Sequence, residues 1–154
     1  MKIKFVLSAF PLLIFLLIHS AATAQSDDKT VIQNVLNRYR LAIEKIDTTD
    51  IRFLFQKDAK IYEQGSDEGH IAHYLSNHLI PELKLFKSIR FTDITQDVLV
   101  SGIYAFVTET YTYTIVLKDA KTVKSKGINT VVLRHTAAGW KITNMHTSFR
   151  KSSS

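Results

Sequence analysis

The sequence contains no cysteine. No disulfide can form, whatever the compartment, and a lipid-modified N-terminal cysteine is excluded. No internal repeat and no low-complexity linker divides the 154 residues, so one domain is expected. A chain of this size buries one core without staples. No basic helix or exposed aromatic platform stands out. The formal charge of +6 is spread over Lys84, Lys87, Arg90, Lys118, Lys121, Lys124, Lys126, Arg150 and Lys151. Scattered charge of this kind reads as a solvated surface, and nucleic acid is not expected as a partner.

What is present begins with a targeting pattern. Lys2 and Lys4 precede an apolar run, Phe5 to Ile18, and Ala22-Thr23-Ala24 supplies small residues at a cleavage position. The run is short for a membrane span, so residues 1–24 read as a removable signal peptide. The expected mature chain starts near Gln25, is periplasmic or secreted, and keeps no membrane anchor.

Helical spacing follows. Ser26 before Asp27 and Asp28 is a capping start. Val31, Ile32, Val35, Leu36, Tyr39, Ala42, Ile43 and Ile46 then form an apolar stripe. Asp47 to Asp50 breaks it, and a short second helix is expected over Asp50 to Gln56. A strand, Ala59 to Glu63, leads into a turn at Gly65. A third helix is expected over Asp67 to Ile80, with Ile71, Tyr74, Leu75, His78 and Leu79 on one side. Pro81 should end or kink it.

From Phe86 the period changes to two. Ser88 to Val100 reads as a strand with a bulge near Asp93. After Ser101-Gly102 comes Ile103 to Leu117, whose odd positions include Val107, Glu109, Tyr111, Tyr113 and Ile115, and whose even positions carry Thr108, Thr110, Thr112 and Thr114. Thr122 to Arg134 and Trp140 to Phe149 complete the set, with His146 expected to face inward like Trp140 and Ile142. The tail beyond residue 150 should fray. Helices followed by long antiparallel strands predict an α+β fold: three N-terminal helices packed on a strongly curved, mostly antiparallel sheet, closing a cone whose mouth is a pocket.

Two stretches, NRYRLAIEKIDTTDIRFLFQKDAKIYEQGS (37–66) and GWKITNMHTS (139–148), together with YLSNHL (74–79), carry a family resemblance. The chain resembles the SnoaL-like and ketosteroid-isomerase-like branch of the nuclear transport factor 2-like superfamily across residues 25–150. The resemblance implies that Tyr39 falls where the isomerases hold an oxyanion donor and Glu63 where they hold the general base. That base would take a proton beside a carbonyl while a neutral donor steadies the enolate. Here the base is Glu rather than Asp, and Gln64 replaces the proline that follows it.

The candidate catalytic residues are therefore Glu63, Tyr39 and His78. Tyr74, Glu109, Tyr111 and His146 are the candidate ligand-binding residues, with Glu109 a possible protonated donor. His70 and His73 should be solvated. Glu63, His78 and His146 could form a metal set, but their wide spacing in sequence is a weak signal, so no metal and no cofactor is assigned. Three functions compete. One is binding of a small apolar or carbonyl-containing molecule. The second is a proton-transfer or hydration enzyme using Glu63. The third is a module that forms a homodimer through the threonine-rich outer face of the sheet.

Overall fold

The computed structural model describes residues 10–152, with side chains from residue 27 onward. The expected signal segment 1–24 and the capping start at Ser26 lie outside the residues whose side chains are described. Helix α1 (Phe10–Glu44) lays Ile32, Val35, Leu36, Tyr39 and Ile43 against the sheet, as the stripe predicts. Asp28, near the start of this face, accepts a hydrogen bond of 2.8 Å from the Trp140 indole, tying α1 to the start of the last strand. Among the described residues no helix is long and apolar enough to cross a membrane.

The six strands are β1 (Phe55–Glu63), β2 (Ser66–His70), β3 (Phe86–Ser101), β4 (Tyr104–Leu117), β5 (Thr122–Thr136) and β6 (Gly139–Lys151). They form one sheet in the order β2-β1-β6-β5-β4-β3. Only the β1–β6 pair is parallel. The predicted bulge in β3 is present: the register slips between Thr92 and Thr95, and Asp93 takes φ 53°. The period of two in β4 also holds, with Ala105, Val107, Glu109, Tyr111, Tyr113 and Ile115 all buried.

Several expectations are corrected. The second helix is a 3₁₀ turn, Ile51–Leu54, because Phe55 already enters β1. The third helix starts later than expected. Residues 66–70 form the edge strand β2, where Gly69 at φ 75° sits at a register slip against β1. That left-handed conformation costs a glycine little and would strain other residues, and it halts any helix from Asp67. Helix α2 is then one run in three pieces: α-helical Ile71–Tyr74, a π turn Leu75–Leu79, and α-helical Ile80–Leu83. The helical layer therefore holds two helices and a 3₁₀ turn rather than three helices.

Pro81 does not end α2. Proline has no N–H for the carbonyl four residues back, and its ring crowds that carbonyl. The helix widens just before it, with the Ile80 N–H reaching the Leu75 carbonyl five residues away. At the other end of the chain, Arg150 and Lys151 belong to β6 and pair with Lys126 and Ser125, so the expected fraying does not reach these two residues.

Candidate functional site

The cone encloses a cavity of about 90 Å³ between α1, α2 and the inner face of the sheet. At roughly 10–15 Å³ per water, that is room for a handful of waters or the head of a small molecule. The register explains how its polar groups arrive there. One row of cross-strand neighbours runs through Gln96 on β3, Glu109 on β4, Asn129 on β5, Thr147 on β6 and Glu63 on β1. Each ladder places one side chain of the row on the same face.

Glu63 holds one end. Its strand stops in a turn at Gln64 and Gly65, both at positive φ (50° and 87°). Gln64 is then clamped to β6. Its side chain donates to the Phe149 carbonyl at 2.9 Å and accepts from the Phe149 N–H at 2.8 Å. With its neighbour pinned, the Glu63 carboxylate is aimed at the cavity wall. It accepts a 2.9 Å hydrogen bond from the Tyr74 hydroxyl, and His78 Nε2 stands 3.6 Å away. The other ring nitrogen, Nδ1, is 2.9 Å from Glu68, and Glu82 lies 3.8 Å from Nε2. Tyr39 lines the same wall of the cavity as Tyr74 and Glu63.

The electrostatics follow from this crowding. Burial first, and the charge of Glu63 next, hold the Tyr39 phenol well above its ordinary range. Burial, then Tyr39 and Glu63, do the same for Tyr74, so both remain neutral donors. Burial opposes charge on His78, but the Glu68 hydrogen bond and the charges of Glu63, Glu68 and Glu82 outweigh it and raise the imidazole above 6.5. Glu82 is also raised, by burial and then by Glu63, with His78 pulling the other way.

The far end of the row is different. Glu109 is 1% exposed and accepts from the Arg40 guanidinium, from Gln96 at 2.8 Å and from Asn129 at 3.0 Å. Tyr111 donates to Asn129 at 2.9 Å, and Arg40 also donates to Asn37. Among the described residues every hydrogen-bond partner of Glu109 is a donor, which is the geometry of a carboxylate ion and not of a protonated donor. Glu109 does not line the cavity, so its place as a ligand-binding acid is corrected: it is the counter-ion of a buried arginine. Tyr111 does line the cavity, with its hydroxyl turned to Asn129. Its ring lies over Gly127 on the paired strand, where a Cβ would come within 2.3 Å of it.

His146 is the second correction. It is exposed on the outer face. The register slips between Val132 and Leu133, leaving Thr143 unpaired, so β6 buries Trp140 and Ile142 but then Met145. Thr147 and Phe149, not His146, reach the cavity. His70 and His73 are exposed, as expected, each with Nδ1 at 3.1 Å from a backbone carbonyl. Sequence reasoning missed Arg40, Glu68 and Glu82. Arg40 could have been suspected from its place next to Tyr39 on the buried side of α1. Glu82 could have been found four residues after His78.

A helix-covered, curved six-stranded sheet with an aromatic cavity and an acid at the end of β1 defines a cone-shaped pocket protein. The sequence profile of the SnoaL-like domain matches residues 32–151, and the chain belongs to that family. Among solved structures it is similar to a nuclear transport factor 2-like superfamily protein from Salmonella enterica, at 22% identity and TM-score 0.73, covering 84% of this chain and 94% of that one. It is also similar to a candidate ketosteroid isomerase from Shewanella frigidimarina (26% identity, TM-score 0.66, 75% of this chain and 92% of that one). A candidate dehydratase from Streptomyces avermitilis aligns at 18% identity and TM-score 0.71, over 80% and 96% of the two chains. These likenesses establish the fold. No protein of curated function matches in sequence.

Proposed function

We propose that the chain binds a small, largely apolar molecule in the cone and meets its polar group with Glu63. One observation carries this reading: a carboxylate supported by Tyr74 at 2.9 Å stands on the wall of a cavity otherwise built mostly from rings and aliphatic side chains. A second reading goes further and gives Glu63 the role of general base in an isomerase- or dehydratase-like proton transfer. The His78 imidazole at 3.6 Å favours it as a proton donor beside the base. It ranks second because Glu109, the acid that a second, protonated oxyanion donor would need, is instead the counter-ion of Arg40. Glu63→Gln separates the two readings. With a carbonyl substrate in hand, it should abolish turnover yet keep most apolar affinity. Turnover that survives the substitution would remove the base.

Two further features belong to the same proposal. The chain acts after export, with the mature N-terminus near Gln25. N-terminal sequencing of the exported protein tests this, and finding Met1 retained would overturn it. Two copies pair through the outer face of the sheet, where Leu99 and Phe106 are neighbours and Ile128 is also exposed beside the threonines of β4. A solely monomeric sedimentation profile at micromolar concentration would refute the pairing.

A further inference from the structure

The walls and the mouth of the cavity have a common chemistry. Phe91, Tyr111, Tyr113 and Phe149 pack with centroids 5.3 to 6.1 Å apart and interplanar angles of 41° to 81°. Rings set at such angles can turn several faces toward one volume, which a parallel stack cannot. Tyr39 and Tyr74 add two more rings from the helices. The carboxylates of Glu63 and Glu82 stand in the same lining. Its one cationic side chain, Arg40, is engaged by Glu109 and Asn37. Among the described residues, His78 is the only basic side chain within 4.0 Å of Glu63, Glu68 or Glu82. Three carboxylates share one imidazole, in a chain whose overall charge is +6.

We propose that the ligand is a small organic cation, an alkylated amine whose charged head sits among the rings with Glu63 and Glu82 as counter-charges. Ring faces carry negative charge density and attract a cation that is only weakly hydrated. Alkyl groups on the nitrogen suit the ring and aliphatic part of the wall, because such a head needs no hydrogen-bond acceptor there. The inference rests on the pocket reading above and narrows it to a substrate class.

A divalent metal ion is the competing occupant of the same acids, because Glu63, His78 and Glu82 offer ligand atoms within 4.8 Å of one another. The arrangement of His78 disfavours it. Both ring nitrogens face carboxylates, Nδ1 toward Glu68 and Nε2 toward Glu63 and Glu82. A proton on each nitrogen would serve both neighbours, whereas a metal on Nε2 needs that nitrogen unprotonated. A metal would also make no use of the rings.

The test compares choline with 3,3-dimethylbutan-1-ol, its uncharged isostere, by calorimetric titration of the full chain at low and moderate salt. Choline should bind at least about tenfold more tightly, and its advantage should shrink in Tyr113→Leu, in Glu82→Gln and with added salt. Unchanged circular dichroism would show that each variant is folded. Equal binding of the two compounds would overturn the cation and leave the pocket standing. Binding of neither would overturn both readings. A choline advantage that both variants retain would place the cation elsewhere on the protein and overturn the assignment.

Discussion

Glu63 and Glu109 sit in the same cross-sheet row, with Asn129 and Thr147 between them, and they live in opposite conditions. Around Glu109 the partners Arg40, Gln96 and Asn129 all donate, and a fixed cation balances the acid. Around Glu63 the acids outnumber the basic groups, its contact with Tyr74 is tight at 2.9 Å and the one with His78 loosens to 3.6 Å. The first arrangement is complete and gains nothing from a ligand. The second is left with charge to be matched. The fold thus separates a carboxylate that holds the cone together from one that is available for chemistry. Burial alone does not make the distinction, since both acids are removed from bulk water to a large degree.

The largest expected effect comes from breaking the complete cluster. Glu109→Ala leaves the Arg40 guanidinium buried without its counter-ion, which should cost about 3–5 kcal/mol. In a domain of this size that lowers the thermal midpoint by roughly 10 °C or more, read by circular dichroism. Replacing both partners together, Arg40→Met with Glu109→Leu, should recover most of the loss, because the desolvation of both charges is removed as well. A single variant as stable as the parent would show that the pair is not buried as described.

A smaller effect sharpens the other end. The folded-state value of His78 is raised, so its stabilising contribution is complete below about 6.5 and is lost as pH rises through that raised value. Glu82 is raised too, and so acts in the same sense: its contribution is present below its ordinary 4.5 and fades above it. The mouth therefore favours the folded state in mild acid. Glu63→Gln removes a carboxylate that raises both groups, so the pKa of His78 measured from its ring resonances by NMR should fall. An unchanged His78 titration in that variant would mean that the two side chains do not meet.

These contrasts were only partly legible in the sequence. Helical spacing placed Tyr39 on the buried face of α1, and strict alternation placed Glu109 inside β4, because periodicity reports facing directly. It does not report partners. Glu109 could be read as a ligand group only while Arg40, sixty-nine positions away, was unplaced. Gly69 hid β2, since residues 66–70 hold no apolar side chain to show a period of two and lie directly before the helical stripe that begins at Ile71. Pro81 looked like a stop signal, and the π turn that accommodates it comes from backbone geometry that carries no composition of its own. Glu63 and His78 were found because a strand end and a helix face bring together groups that are only fifteen residues apart.

The smallest effect tests the register on which the comparison stands. Alternation from Trp140 and Ile142 would carry His146 inward, but one unpaired residue at Thr143 reverses the faces beyond it. His146 then points away from the cavity, and Thr147 joins the row between Asn129 and Glu63. His146→Ala should therefore leave choline affinity within about twofold of the parent, the scale of an ordinary surface substitution. A clear loss would mean that β6 runs without its bulge. His146 and Thr147 would then exchange faces, the row would be broken at β6, and Glu63 and Glu109 would no longer be two ends of one structure.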